Sequence, residues 1–210
     1  MNPIRIHIVD YGMGNVQSVR NAFERLGCEV RVSGDNSFFG GADAIVLPGV
    51  GAFGEAMSNL HELQLIAPLR EAVLTQGKPL LGICLGMQLL ADASDERGSY
   101  VGLGLIPGHV REIPINPGYR LPHIGWNDVA VGVHAPLFEG LTEKNAFYFV
   151  HSYRFECPEQ YVAGVSDYGT DIVAAVQRDR IFGVQFHPER SQRNGLRLLL
   201  NFINFVSSIK

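Results

Sequence analysis

The pentapeptide Gly82-Ile83-Cys84-Leu85-Gly86 sets the strongest limit on how this chain can fold. It follows the apolar run Pro79-Leu80-Leu81 and leads without a spacer into Leu85-Gly86-Met87-Gln88-Leu89-Leu90, so a strand has to turn straight into a helix at Cys84. A corner that sharp pushes its central residue out of the ordinary backbone regions. Side chains two residues to either side would strike the strand and helix behind them. Glycine at both 82 and 86 meets that demand, with the spacing of a nucleophile elbow and cysteine in the nucleophile's place. Free N–H groups and the positive dipole end of a helix starting at Leu85 favour a thiolate there. Without the two glycines, a cysteine in such an apolar run reads as a core residue.

Strands and helices alternate ahead of this corner. Arg5 to Val9 reads as a strand, and Val16, Val19, Ala22, Phe23 and Leu26 recur at helical spacing until Gly27. Further strands are expected at Val30 with Val32, at Ala44 to Leu47 and at Leu80 to Ile83, with a helix over Ile66 to Leu74. The alternation predicts an α/β fold built on a mostly parallel sheet flanked by helices, with active groups at the carboxyl ends of the strands. From about Gly102 the chain turns to short β-rich runs punctuated by Gly and Pro: Val110 to Ile113, Phe147 to Val150, Val162 to Val165, Ile172 to Val176 and Ile181 to Phe186. A helix over Asn194 to Val206 closes it. No repeat or linker separates the halves, and with 46% hydrophobic residues the whole span 1–210 is expected to form a single domain around one core.

Composition removes several classes of function. A net charge of −4 without a Lys/Arg cluster leaves no electrostatic footprint for nucleic acid or a membrane. No uncharged run is long enough to cross a bilayer, and Ile4 to Val9 reads as a strand rather than a signal peptide, so a cytoplasmic location is expected. Cys28, Cys84 and Cys157 are too widely spaced for a disulfide framework or a zinc site, and no metal is expected. The turn Asp10-Tyr11-Gly12-Met13-Gly14-Asn15 invites a dinucleotide reading but lacks its third glycine, Gln17 standing there, and no acidic residue follows at Val32-Ser33-Gly34. It reads as a tight strand-to-helix turn, and no cofactor is expected.

Two segments provide what a cysteine nucleophile needs. Leu47-Pro48-Gly49-Val50-Gly51-Ala52-Phe53-Gly54 lies at the carboxyl end of an expected strand, and a glycine-rich loop there can give one oxyanion donor while Leu85, next to the nucleophile, gives the other. Gly183-Val184-Gln185-Phe186-His187-Pro188-Glu189 ends a late strand with a histidine and, two residues on, a carboxylate able to orient it. His151, in Tyr148-Phe149-Val150-His151-Ser152-Tyr153, is the next candidate and reads as lining the site; His7, His61, His109, His123 and His134 have no such context.

Together these motifs resemble the class I glutamine amidotransferases, and among them the glutaminase subunits of imidazole glycerol phosphate synthase in histidine biosynthesis. The segments that carry the resemblance are Asp10 to Asn15, Leu47 to Gly54, Gly82 to Gln88, Gly102 to Ile106, His123 to Asn127, Tyr148 to Tyr153 and Gly183 to Glu189. Ile124 stands where that family usually has Met, and Arg190 where Lys is common. The resemblance implies a flavodoxin-like sheet with additional antiparallel β structure in the C-terminal half. It also implies a Cys84, His187, Glu189 triad that hydrolyses glutamine through a glutamyl thioester, with Val50 and Leu85 as oxyanion donors. Gly51, Gln88, Glu96, Tyr148 and Ser152 would contact the glutamine, although Asp92 to Gly98 also reads as a charged surface turn. The implied partner is a (β/α)₈ cyclase subunit forming a heterodimer and taking up the ammonia. Asn15, His123, Trp126, Asn127, His151 and Arg190 would lie at that interface, on loops including His123 to Asn127 and Tyr148 to Ser152. Three alternatives remain: a cysteine hydrolase on a similar sheet, a noncatalytic relative, and a paralogous glutaminase feeding a different synthase.

Overall fold

The computed structural model describes residues 3–132, 135–141 and 145–210. Its strands are β1 (Arg5–Val9), β2 (Glu29–Ser33), β3 (Ala44–Gly49), β4 (Leu80–Cys84), β5 (Ala93–Ser94), β6 (Tyr100–Val101) and β7 (His109–Glu112), followed by β8 (His123–Asp128), β9 (Ala130–Val131), β10 (Ala146–His151), β11 (Tyr153–Glu156), β12 (Val162–Asp167), β13 (Asp171–Arg178) and β14 (Ile181–Val184). The helices are α1 (Val16–Arg25), α2 (Phe53–Glu62), α3 (Ile66–Arg70), α4 (Leu85–Gln88) and α5 (Gln192–Ser208).

An eight-stranded sheet runs in the order β2-β1-β3-β4-β14-β13-β12-β9. The first five strands are parallel, and β13, β12 and β9 continue antiparallel. The central strands β3 and β4 are buried at every position, which is why they read as unbroken apolar runs rather than alternating ones. Their side chains still divide by parity. Ala44, Val46, Leu81 and Ile83 face a core shared with Phe23 of α1 and Phe202 of α5, while Ile45, Leu47 and Leu80 face a second core with Leu60 of α2 and Leu69 of α3. Both cores draw on both halves of the chain, Phe147, Phe149 and Phe182 in the first, Val110, Phe155 and Ile181 in the second.

Several expectations are corrected. Helix α2 was hidden by the glycines before it, although Phe53, Ala56 and Leu60 carry a helical pattern and are buried. Ala52 gives it no side-chain cap; the Phe53 N–H donates instead to Glu96 Oε2 at 2.7 Å, so a residue 43 positions away caps the helix. The helix expected to Leu74 leaves α geometry after Arg70 and ends in a π-helical turn, Glu71–Thr75. Strand β3 continues through Pro48 to Gly49, and β14 stops at Val184, two residues short of the expected end.

The β run expected at Phe147 to Val150 is present and extends as β10 through His151, whereas His123 to Asn127, expected as a loop, lies in β8; the two pair antiparallel with Tyr148 opposite Trp126 and His151 opposite His123. Alternation then separates their faces. Phe147, Phe149, His151 and His123 are buried, whereas Ile124 and Trp126 are 57% and 49% exposed.

Candidate active site

Sheet order alone brings the motifs together. Strand β4 lies between β3 and β14, with Gly49 level with Cys84 on one side and Val184 level with Ile83 on the other. The Val50 loop, Cys84 and the segment leading to His187 therefore share one edge, at the carboxyl ends of three parallel strands.

Cys84 takes φ +54° and ψ −112°, a conformation that side chains rarely adopt. The glycines make room for it. A methyl group on Gly82 would sit 2.7 Å from the Gly86 carbonyl oxygen, and one on Gly86 would overlap the Leu47 carbonyl oxygen. The helix after the corner is a single turn, so what α4 offers the sulfur is its own free N–H groups rather than the summed dipole of a long helix.

The positive charge beside the sulfur is an imidazolium. His187 is buried and its Nδ1 donates to Glu189 Oε1 at 2.9 Å, which turns Nε2 toward Cys84. Burial lowers the His187 pKa, but hydrogen bonds to Cys84 and Glu189 and the charges of both outweigh it, and the net shift is well upward. Cys84 and the Glu189 carboxylate thus both favour a protonated His187. Glu189 Oε2 is buried with no hydrogen-bond partner among the described residues.

A cavity of about 340 Å³ opens over Cys84. Val50, Gly51, Leu85, Gln88, Glu96, Ser152, His187, Glu189, Asn15, His151 and Arg190 all line it, together with Arg97, Pro122, Val150 and Tyr153, which the sequence reading did not single out. Glu96 is buried rather than in a surface turn. The first glycine-rich turn supports the Val50 loop, since buried Tyr11 donates through its hydroxyl to the Pro48 carbonyl at 2.8 Å. Burial pushes that phenol upward, so it stays a donor. Gly51 sits at φ +102°, where glycine alone is unstrained.

Tyr148, His123, Trp126 and Asn127 do not line the cavity. The Arg190 guanidinium lies 4.6 Å over the Tyr148 ring, and Trp126 meets that ring edge-on. His123 and His151, expected at a partner interface, are buried because strand alternation turns them inward. His151 Nδ1 donates to the Tyr153 carbonyl at 2.8 Å, so its Nε2 accepts from His123 Nδ1 at 3.0 Å, and His123 stacks on Phe149 and Tyr168. His61 and His109 lie away from the cavity, on α2 and β7, and His134 falls outside the described residues. Gln185, also missed, is completely buried against Cys84; its signal was a lone polar residue in the apolar run Ile181 to Phe186.

The histidine pair makes the fold acid-sensitive. Burial lowers His123 to about 4 and His151 to about 3. Unfolded histidines bind protons below roughly pH 6.5, so the stability held by the neutral pair is full above that pH and is lost as pH falls toward the folded values, on the order of 2 kcal/mol per histidine by pH 5. Urea midpoints at pH 7 and pH 5 should differ accordingly, with a smaller difference in His123→Asn. Equal midpoints in the parent protein would contradict this account.

The family model described as glutamine amidotransferase class-I matches residues 7–205. The chain belongs to the class I glutamine amidotransferases. Curated relatives named "Imidazole glycerol phosphate synthase subunit HisH" include one from Moorella thermoacetica, 48% identical and covering 98% of this chain and 96% of its own, and one from Bacillus cereus, 45% identical over 98% and 97%. That from Aquifex aeolicus is 47% identical over 95% and 96%. Among solved structures, PurLQS from Thermotoga maritima superposes with a TM-score of 0.78 at 19% identity, covering 98% of this chain and all of that one. A further glutamine amidotransferase gives 0.76 at 22% identity, over 96% and 98%. At those identities the likeness shows the amidotransferase fold alone. No helix among the described residues of this amidotransferase is long and apolar enough to cross a membrane.

Proposed function

We propose that this amidotransferase is the glutaminase subunit of an imidazole glycerol phosphate synthase, hydrolysing glutamine and passing the ammonia to a cyclase subunit. The observation that carries this reading is the 45–48% identity to subunits of that name over nearly the whole chain, joined to a Cys84, His187, Glu189 arrangement beneath a cavity of amino-acid size.

Glutamine enters with its side-chain amide over Cys84. The thiolate adds to the amide carbon, and the oxyanion is received by the N–H groups of Val50 and Leu85. His187, held by Glu189, gives its proton to the leaving nitrogen, and ammonia departs to leave a glutamyl thioester. Water, deprotonated by the same imidazole, then releases glutamate. Gly51, Gln88, Glu96 and Ser152 hold the amino-acid end; Tyr148 acts from outside the cavity, beneath Arg190.

The partner is a (β/α)₈ cyclase subunit in a heterodimer. It covers the mouth of the cavity, against exposed Ile124 and Trp126, with Asn15, Asn127 and Arg190 at the rim and His123 and His151 supporting β8 and β10 from beneath. Ammonia is largely protonated at neutral pH and then useless as a nucleophile, so hydrolysis gains from being tied to a waiting acceptor. The exposed Val50 loop, flanked by Gly49 and Gly51, is where that tie acts, the partner and its substrate favouring the peptide orientation that aims the Val50 N–H at the oxyanion. One missing oxyanion donor costs roughly a hundred- to a thousandfold in rate. Glutamate release by the isolated chain should be lower by about that factor than in the complex with acceptor bound. Equal rates would remove the coupling, and failure to bind any cyclase barrel would favour a different synthase.

A further inference from the structure

The side chain of Gln185 is wholly buried on the segment between β14 and His187, and the mechanism above gives it no task. Its backbone N–H continues the sheet by bonding to the Ala174 carbonyl at 2.9 Å, which fixes where its side chain starts. Its Oε1 accepts a hydrogen bond from Gln88 Nε2 at 2.9 Å, and its own Nε2 lies 3.8 Å from Cys84 Sγ, within reach of an N–H directed at a large sulfur atom.

The partners of the Gln88 amide nitrogen fix which way this side chain faces. A primary amide nitrogen carries two. One goes to Gln185 Oε1 and the other to the Tyr153 carbonyl at 3.1 Å, so Gln88 meets the cavity as an acceptor, through Oε1. Reversing the Gln88 amide would set two oxygens against each other at Gln185 and two more at Tyr153, each a buried acceptor without a donor.

We propose that Gln185 is a positioning residue acting on two groups at once: it locks Gln88 with its carbonyl oxygen toward the bound amino acid, and it donates a hydrogen bond that favours the Cys84 thiolate. Gln88 then receives an N–H of the substrate, its ammonium or its amide, and does not bind the carboxylate. Gln185 touches neither substrate nor leaving group. The part concerning the ligand rests on the glutaminase reading above, while the part concerning the thiol does not depend on it.

Two substitutions separate the tasks. Gln185→Leu removes both interactions at similar volume. Gln185→Glu keeps an acceptor for Gln88 but puts a carboxylate beside the sulfur. The first measurement is the pH profile of Cys84 alkylation by iodoacetamide in the full-length chain without glutamine, with the modified peptide identified by mass so that Cys28 and Cys157 do not contribute. The midpoint should move up by about one unit in Gln185→Leu, a roughly tenfold loss of thiolate below it, and further in Gln185→Glu. The second is glutamine turnover in the complex with the cyclase subunit. KM should rise about tenfold in Gln185→Leu and return toward the parent value in Gln185→Glu, while kcat falls in both.

Thermal melts identify a variant that has not folded, and the other then carries the test. Midpoints unchanged in a folded variant overturn the donor role, and a KM unchanged in Gln185→Leu overturns the locking of Gln88. Shifted midpoints in a protein that does not hydrolyse glutamine would uphold the thiol assignment and refute the glutaminase reading instead.

Discussion

Replacing Cys84 with alanine is expected to abolish release of glutamate from glutamine while leaving the cyclase partner able to use added ammonium salts. The chemistry needs a nucleophile at one point, and the geometry admits no substitute. Cys84 is held at φ +54° between Gly82 and Gly86, level with Gly49 at the start of the Val50 loop and one residue past the Ile83–Val184 pairing that leads toward His187. Water in the vacated space would lack the thiolate's intrinsic nucleophilicity and could not form the thioester that splits one difficult step into two easier ones. The elbow itself should survive, since alanine occupies less space than cysteine and keeps both glycines. Loss of glutaminase with retained ammonia-dependent synthesis therefore separates chemistry from folding. The check is glutamate release and ammonium-driven cyclisation measured side by side on the same complex. Glutaminase activity above a trace in Cys84→Ala would sink the assignment of the nucleophile.

Glu189→Gln should lower turnover by about a thousand- to ten-thousandfold with the fold preserved, as loss of the orienting acid does in a related triad. The Glu189 side chain is buried, and its Oε1 is the partner that fixes His187 Nδ1. A carboxamide of the same shape can present its N–H₂ to that nitrogen. The imidazole would then carry its proton on Nε2, and the ring could no longer shuttle between thiol and leaving amine in the required order. The charge goes too, and with it part of what raises His187, so the imidazolium beside Cys84 is weakened at the same time. The measurement is kcat for glutamine in the activated complex, with a circular-dichroism melt as the control. Turnover within about threefold of the parent, roughly 0.7 kcal/mol of barrier, would mean that another group orients His187.

How far the site was legible depended on the range of each interaction. Cys84, His187 and Glu189 could be named because each sits in a short motif whose purpose is local: two glycines clearing a corner, and a carboxylate two residues from the imidazole it orients. The bounds of β1 and the start of α1 were equally readable, since periodicity and a terminating glycine are properties of neighbours in the chain. Elsewhere local reading misled. The Gly-rich stretch before Phe53 looked like open loop, and Asp92 to Gly98 like a charged surface turn, because the two explain each other only in space, Glu96 capping α2 while it faces the cavity. His123 to Asn127 carried a visible alternation, yet only its pairing with β10 made it a strand and decided that His123 turns inward while Trp126 turns out.

The sequence by itself singled out Cys84 and Glu189 as the candidate nucleophile and orienting acid and determined the sharp corner and the α/β class, since steric exclusion at glycines and hydrophobic periodicity act over a few residues. Tertiary structure alone decided that Gln185 lies between Gln88 and Cys84, 97 and 101 residues away along the chain, and that two histidines 28 residues apart share a hydrogen bond. The physical reason is that each of these contacts depends on strand order and register across the sheet. β14 is inserted beside β4 in the large sheet and β10 pairs with β8 in a separate two-stranded one, and one step of register in either would turn Gln185 or the histidines to the opposite face.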